Sequence, residues 1–174
     1  MAQIGFGGSC YWCMEAVFRS IRGVSLARSV WFTASLAPEP SEGVTVTFDE
    51  DVIDLQSLIH IHLSTHSCTE EHALRKKYRS AVYVYDSTQA VEAGECLQRL
   101  QVLFPQPIVT QVLEIDSFRT ADVSIQDYYY SDPGKPFCCQ RITPKLRILL
   151  REFAAYVDPA RQAVIESQDS GRND

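Results

Sequence analysis

The feature that most constrains the fold is the start of the chain, where a short apolar strand runs into a glycine turn, a cysteine and a helix. Residues 4–18 read IGFGGSCYWCMEAVF. Gly7 and Gly8 permit a tight turn and a close backbone approach. Ser9 is the predicted N-cap, which places Cys10 in the first turn of the helix. A strand–turn–helix unit with a cysteine at its turn therefore opens the fold.

The position of Cys10 predicts an activated thiol. Unpaired N–H groups and the positive end of the helix dipole favour an anion at a helix start. We therefore expect the pKa of Cys10 to be lowered, so that a thiolate forms. Tyr11 and Trp12 place two aromatic rings beside the sulfur. This combination indicates an enzyme acting on a small, partly apolar group; the alternative is a buried structural cysteine, which the glycine lead-in and the aromatic pair disfavour.

Length and charge exclude several functional classes. The chain has 174 residues, of which 45% are hydrophobic, enough for one domain with a sizeable core. The net charge of −6, without a sustained basic run, argues against nucleic-acid binding. No apolar run approaches the roughly eighteen residues that span a membrane. No signal-peptide pattern opens the chain, so we expect a cytoplasmic location without membrane contact.

The cysteines are more consistent with catalysis, redox chemistry or burial than with a disulfide framework, as in a reducing compartment. The two closest pairs are too local to staple a fold. Cys96 lies on an apolar helix face, where burial is the simpler reading. The six are Cys10, Cys13, Cys68, Cys96, Cys138 and Cys139.

The spacing of apolar residues and the positions of proline and glycine predict the order of secondary-structure elements. Apolar residues at helical spacing predict helices over about 11–21, 55–64, 87–104 and 144–156, with a short helix near 126–130. Alternation and β-branched runs predict strands near residue 4 and over 24–33, 44–48, 80–85 and 108–115. Prolines and a glycine mark residues 34–43 as a loop. Residues 69–77 are highly charged, so we expect a solvated helical turn or a loop there.

The predicted fold is α+β. The strands over 24–33 and 44–48 have no helix between them, so we expect them to pair antiparallel. The order predicts a ferredoxin-like split βαβ sandwich, a mixed sheet with flanking helices. We expect a single catalytic domain over residues 1–158 and a polar C-terminal tail over 159–174, with a short helix followed by disorder.

Residues 8–18 resemble the signature G-C-F-W-x-x-E-x-x-F of the A-class peptide methionine sulfoxide reductases. Three further blocks match that family in order. Residues 42–49 (EGVTVTFD) resemble E-x-V-x-V-x-[FY]-D, and residues 77–83 (KYRSAVY) resemble Q-Y-R-S-x-[IV]-[YF]. Residues 126–146 resemble the closing H-Q-x-Y-[YL]…[YF]-C…P-K-L. Each block is weak alone, but four in order, spanning residues 4 to about 153, are specific.

The resemblance implies reduction of the S epimer of methionine sulfoxide, free or in proteins, with thioredoxin or another dithiol as reductant and no cofactor or metal. By position it implies that Cys10 attacks the sulfoxide sulfur, Glu42 protonates the departing oxygen and the Tyr78 hydroxyl holds that oxygen. Cys10 is left as a sulfenic acid, which a second cysteine converts to a disulfide with release of water. From the residues alone, Glu42 reads as a surface loop carboxylate and Tyr78 equally well as a core tyrosine.

The chemistry independently asks for these residue types. Sulfoxide oxygen leaves poorly unless protonated, and a desolvated glutamic acid can hold the proton. A methyl sulfoxide has one apolar and one accepting end, so it needs aromatic rings on one side and donors on the other. The resemblance implies that Tyr11 and Trp12 wall the methyl pocket, with Trp31 and Tyr128 as further substrate-binding residues.

The sequence also departs from the pattern. The family's G-Y-x-G-G falls on residues 30–33, where Trp31 can pack but cannot accept a hydrogen bond. The family's Asp falls on Ala73 and its closing His on Ile125. These losses leave open a catalytically weakened thiol redox sensor or binding protein on the same scaffold. The Cys-x-x-Cys pattern alone leaves a thioredoxin-like disulfide oxidoreductase as a third reading.

The resolving cysteine is left open among Cys13, Cys138 and Cys139, since no cysteine follows Cys139. Cys13 is the nearest candidate, one helical turn from Cys10. A zinc site is a weaker reading, because the spacing of the histidines over 60–66 matches no closed set of ligands, so structural or exposed histidines are expected. We expect a monomer.

Overall fold

The computed structural model describes residues 1–170 and contains a five-stranded sheet with helices packed around it. The strands are β1 (Ala2–Gly7), β2 (Val24–Ala34), β3 (Ala37–Phe48), β4 (Ala81–Val84) and β5 (Gln111–Thr120). The helices are α1 (Tyr11–Arg19), α2 (Leu55–Ser64), α3 (Ser87–Leu100), α4 (Tyr128–Ser131), α5 (Thr143–Phe153) and α6 (Pro159–Ser170). A π-helical turn, Cys138–Ile142, leads directly into α5.

The sheet has the order β1-β3-β2-β5-β4, and β1 also pairs with β4, so the strands close into a barrel. Strands β4 and β5 are parallel and every other pair is antiparallel. The α+β class with a mixed sheet is therefore confirmed, including the antiparallel β2–β3 pair. A ferredoxin-like sandwich would have two free sheet edges. In this structure β1 pairs with β4 and leaves no free edge, so the ferredoxin-like part of the prediction is not confirmed.

Small residues on β1 and β3 make room for the ring that fills the barrel. Phe32 stacks on Tyr83 inside it, with ring centroids 4.1 Å apart. A Cβ atom at Gly5 would lie 2.6 Å from the Phe32 ring, and one at Gly43 would lie 2.5 Å from it. Since real Cβ atoms do not approach so closely, these two glycines are required by the packing of the interior.

The larger core lies between the outside of the sheet and the helices. Its members from α1, α2 and α5 include Phe18, Leu58 and Leu146, all fully buried. Phe18 stacks on Phe6 of β1 with centroids 4.6 Å apart. Helix α2 begins as predicted, because the Asp54 carboxylate accepts a hydrogen bond of 2.7 Å from the Ser57 N–H.

Two strand boundaries differ from prediction. The predicted loop over 34–43 is wrong from Ala37 onward, because β3 begins there and follows β2 through a tight hairpin. The exposed residues Pro38 and Pro40 are tolerated since this half of β3 pairs with β2 alone, whereas β1 pairs only with residues 44–48. Strand β5 runs on to Thr120 instead of ending near 115, because its polar second half pairs with β2.

The predicted C-terminal tail begins with a helix, as expected, but it also contributes to the core. Ile165 of α6 is fully buried. The disorder expected beyond this helix falls on residues 171–174, which lie outside the described part of the chain. Across residues 1–170, no helix is long and apolar enough to cross a membrane.

Candidate active site

Cys10 lies at the junction of β1 and α1, where a glycine turn brings it to the surface. The structure corrects the predicted cap: Cys10 itself is the N-cap, and its carbonyl accepts from the Cys13 N–H at 3.1 Å. The Ser9 hydroxyl makes no hydrogen bond within the described residues. Gly8 has φ +152°, and a Cβ there would lie 2.5 Å from the His66 ring, so this turn requires glycine.

Cys10 and Cys13 form one proton-sharing pair. The hydrogen bond to Cys13, together with burial, raises the pKa of Cys10, and the same bond lowers the pKa of Cys13. The nearby cations Lys145 and Arg141 also favour a thiolate on Cys13. The expected lowering of the Cys10 pKa is therefore wrong for the reduced pair. The two thiols titrate as one coupled pair, in which their shared hydrogen bond favours the charge on Cys13.

Glu42 is held against the start of α1 by the fold of β3. Its Oε2 accepts a hydrogen bond from the Tyr11 N–H at 3.0 Å, and its Oε1 lies 3.7 Å from Lys77 Nζ. Only 5% of Glu42 is exposed. Burial raises the pKa of this carboxyl, while the Tyr11 N–H and the Lys77 ammonium oppose the rise. Glu42 is thus a buried strand residue facing the helix start, and not the exposed loop carboxylate that its sequence suggests.

Lys77 and Tyr78 follow a short helical turn, Ala73–Lys76, and lie beside Glu42. The Lys77 ammonium is 5.2 Å from the centre of the Tyr78 ring, and a hydrogen bond to Tyr78 raises the pKa of Lys77. The segment is fixed to β3, since the Glu42 N–H donates to the Lys77 carbonyl at 2.8 Å. Lys77 belongs to a basic cluster over residues 75–79 and was not predicted as a site residue; its place next to Tyr78 was the available signal.

Arg75 is a second residue from that basic cluster with a role at the site. Its guanidinium donates to the Gly8 carbonyl at 2.9 Å and to the Tyr78 carbonyl at 3.1 Å. It therefore ties the glycine turn before Cys10 to the segment that carries Tyr78. Because these contacts are made to main-chain carbonyls, they do not depend on the identity of the accepting residue, and no sequence motif predicts them.

The four predicted substrate-binding aromatic residues are brought together next to Cys10. The Tyr11 ring lies 5.8 Å from both the Trp12 and the Trp31 rings. Trp12 stacks on Tyr128 with centroids 4.0 Å apart and donates its indole N–H to the carbonyl of Ile125 at 3.0 Å. One face of Trp12 is thus already covered by protein, which fixes its orientation.

A buried carboxylate, Glu15, anchors the backbone segment that carries Tyr128 of this aromatic cluster. Glu15, only 1% exposed, accepts from the Ser29 hydroxyl at 3.2 Å and from the Tyr128 N–H at 3.3 Å. Gln126 bonds both the N–H and the carbonyl of Ser29, each at 2.9 Å. The segment carrying Tyr128 is therefore anchored to β2 and α1. Glu15 is therefore a structural carboxylate.

A cleft of about 600 Å³ opens over the cysteine pair. Of the predicted site residues, Cys10, Cys13 and Tyr78 line it, whereas Glu42 and the four aromatic residues approach Cys10 from outside this lining. Phe137, which sequence reasoning passed over, lies at its wall and packs edge-on to Trp12 at 5.6 Å. The remaining lining residues are Gly8, Ser9, His66, Ser67, His72, Leu74, Gln140, Arg141, Pro144 and Lys145.

The other two resolving candidates are placed differently from Cys13. Cys138, in the π-helical turn, is fully buried, and burial raises its pKa to about 11. Cys139 is partly exposed, and its thiol lies 3.7 Å from the carbonyls of Pro133 and Gly134. Neither lines the cleft. Cys13 is thus the candidate that shares both a hydrogen bond and a cleft with Cys10.

The histidines have structural partners. His62 Nε2 bonds the Gly7 carbonyl at 2.8 Å, and His66 bridges the His62 carbonyl at 2.6 Å and the Ser80 hydroxyl at 2.8 Å. Within residues 1–170, no group of three or more His, Cys, Asp or Glu is arranged to hold a metal ion.

Comparison with known proteins identifies relatives of this chain. The model of a family described as peptide methionine sulfoxide reductase matches residues 2–156. The peptide methionine sulfoxide reductase MsrA of Pseudarthrobacter chlorophenolicus is 29% identical, with 91% of this chain and 99% of the relative covered. The corresponding protein of Deinococcus radiodurans is 31% identical over 87% of this chain and 82% of the relative.

Solved structures share the fold. Mxr1 from Saccharomyces cerevisiae in reduced form superposes with a TM-score of 0.68 at 19% identity, covering 79% of this chain and 88% of that one. The same yeast protein in complex with Trx2 superposes with a TM-score of 0.59 at 17% identity, covering 70% and 81%.

Proposed function

The chain belongs to the peptide methionine sulfoxide reductase family, and we propose that Cys10 is the nucleophile through which it reduces methionine sulfoxide to methionine. The enzyme is a thiol-dependent oxidoreductase. The observation that carries the assignment is the convergence on Cys10 of a buried carboxyl, Glu42, a tyrosine, Tyr78, and a second thiol, Cys13. These are the acid, the hydroxyl donor and the resolving group that sulfoxide reduction requires.

In the reductive step the Cys10 thiolate attacks the sulfoxide sulfur and forms a sulfur–sulfur bond with it. The oxygen then moves to Cys10 as that bond and the bond from the oxygen to the substrate sulfur break. Glu42 supplies the proton that oxygen needs, and the burial that raises the pKa of this carboxyl keeps it protonated to higher pH. Tyr78 donates its hydroxyl to the same oxygen and Tyr11, Trp12, Trp31 and Tyr128 provide the apolar side of the site. Methionine leaves, and Cys10 is a sulfenic acid.

Cys13 resolves this intermediate. Residues three apart on a helix are neighbours, within the range of Cα separations that a disulfide spans. The Cys13 thiolate attacks the Cys10 sulfur, the sulfur–oxygen bond breaks, and the oxygen leaves as water after taking up a proton. Cys138 and Cys139 are less suitable, because neither shares the cleft with Cys10.

A dithiol then reduces the Cys10–Cys13 disulfide. The complex of yeast Mxr1 with Trx2 supports a thioredoxin in this role. The substrate is the S epimer, free or in proteins, as the motifs over residues 8–146 imply, and the catalytic unit acts as a monomer.

Single-turnover reduction of a methyl sulfoxide of defined S configuration, with thiols counted before and after, tests the assignment. The wild-type protein should form one methionine per site and lose two thiols. Cys10→Ser should form none, and Cys13→Ser should form methionine but retain a sulfenic acid, trappable with dimedone. Cys96→Ala, a change at a buried cysteine on α3, serves as the control. Wild-type protein that oxidises with peroxide yet yields no methionine would overturn the proposal.

A further inference from the structure

The cleft over the cysteine pair is positively charged in an acidic protein. Arg141, at the end of the π-helical turn, and Lys145, in the first turns of α5, both line it. None of the described residues that line it is Asp or Glu, although the chain carries a net charge of −6. Two cations without a carboxylate among their neighbours form a site suited to an anion.

The two cations have little else to neutralise them. Lys145 Nζ donates to the carbonyl of Thr65 at 3.0 Å, an uncharged partner that fixes its direction. Arg141 is exposed at the mouth of the cleft. Within residues 1–170, neither forms an ion pair with a carboxylate. The positive charges of Lys145 and Arg141 lower the pKa of Cys13 and so favour its thiolate.

The cleft gives access to both cysteines. Cys10 and Cys13 line the same opening, so a reductant that enters the cleft reaches the disulfide between them. A volume of about 600 Å³ is that of a site for a small molecule. The concave shape, the two cations and the shared access therefore describe a second ligand, one that is small, anionic and thiol-bearing.

We propose that this cleft admits an anionic low-molecular-weight thiol, a small peptide thiol with free carboxylates, as a reductant of the Cys10–Cys13 disulfide, with Arg141 and Lys145 binding its carboxylate. The inference rests on the proposed function, since it requires the disulfide that turnover produces. The proposal names a second class of reductant besides a dithiol protein. It assigns the selectivity for anionic thiols to the side chains of Arg141 and Lys145.

Reduction of the Cys10–Cys13 disulfide proceeds by two thiol–disulfide exchanges. The incoming thiolate attacks the Cys10 sulfur, the more exposed of the two, and forms a mixed disulfide with it. The Cys10–Cys13 bond breaks and Cys13 leaves as a thiolate beside Lys145 and Arg141, which suits it as the leaving group. A second thiolate attacks the sulfur of the bound reductant and releases Cys10 as a thiolate. Two thiols of the reductant are thereby oxidised to one disulfide, and two cysteines are reduced.

The test compares reduced glutathione with its diethyl ester as reductants of the preformed disulfide. The two share a thiol and a backbone but differ in carboxylate charge, and rates are normalised to the thiolate present. We expect glutathione to react about tenfold faster at low salt, with the ratio falling toward one at high salt. Arg141→Gln should lower the ratio about threefold, as one exposed charge allows. Arg151→Gln, a change at an exposed arginine near the other end of α5, should leave it unchanged.

Three results would overturn the proposal: equal rates for the two thiols, an Arg141→Gln ratio equal to that of wild type, or a disulfide that never forms between Cys10 and Cys13. A fourth would reassign the cations to the substrate, namely an Arg141→Gln variant that raises KM for free methionine sulfoxide but not for its N-acetyl methylamide and leaves the thiol ratio intact. Because disulfide reduction is measured apart from sulfoxide turnover, failure of the single-turnover assay remains distinguishable from failure of this inference.

Discussion

Replacing Glu42 with glutamine removes the acidic proton and the charge of this side chain but keeps its shape. The side chain is nearly isosteric, and its amide oxygen can still accept the 3.0 Å hydrogen bond from the Tyr11 N–H. What is lost is the charge 3.7 Å from Lys77 and the proton that the carboxyl delivers. Glu42→Gln therefore separates the chemistry of this residue from its packing.

The expected losses of stability and of rate differ widely. The Lys77 side chain is 53% exposed, so the ion pair contributes less than about 1 kcal/mol to the free energy of unfolding. For a domain of this size that is a change in Tm of about 2–4 °C at most. Loss of a general acid costs about 10²- to 10⁴-fold in rate. The reductive step should therefore slow by at least a hundredfold in a protein that remains folded.

The assay is single-turnover formation of methionine across a range of pH, with Tm recorded for each protein. The wild-type rate should fall at high pH, because Glu42 is then ionised and has no proton to deliver. The Glu42→Gln rate should rise as the cysteine pair ionises and should show no such decline. Glu39→Gln, an exposed carboxylate on the same strand, is the matched control. A Glu42→Gln rate within threefold of wild type, or an unchanged pH profile, would refute the assignment of Glu42 as the acid.

Other predictions concern packing and the pH dependence of stability. Gly43→Ala should lower the free energy of unfolding by about 1–3 kcal/mol, because its Cβ would clash with the Phe32 ring. Gly94→Ala in α3 meets nothing within 4 Å and should raise the free energy of unfolding by about 1 kcal/mol. Urea titration of both variants measures the difference. Burial lowers the pKa of His66 to about 3. The contribution of His66 to stability is therefore complete above pH 6.5 and should fall by about 1.4 kcal/mol per pH unit below it, because the unfolded chain binds a proton that the folded one excludes. His66→Gln should remove this contribution to the slope and leave that of His62, whose pKa burial also lowers.

The local features of the chain were readable from the sequence, because neighbours along the chain decide them. The strand, glycine turn and helix around Cys10 form as predicted, apart from a cap displaced by one residue, and Asp54 caps α2. The order of the blocks over residues 8–146 was enough to indicate the family, which the match over residues 2–156 confirms.

Contacts between distant segments decided the remainder. Glu42 looked like a loop residue because prolines precede it, yet the ladder between β2 and β3 makes it part of a strand. The pKa of Cys10 is set by its partner Cys13 and by burial more than by the helix end, and burial depends on α5 and the π-helical turn lying against α1.

The sequence by itself determined the secondary structure around Cys10, the candidate residues Glu42, Tyr78 and Cys13, and the family. Only the tertiary structure decided that the sheet closes through β1 and β4, that Lys77 reaches Glu42, and that Arg141 and Lys145 share a cleft with Cys10. The physical reason is sequence separation. Helical periods and caps act over a few residues, whereas a closed sheet and a charged cleft exist only after segments far apart in the chain have packed together.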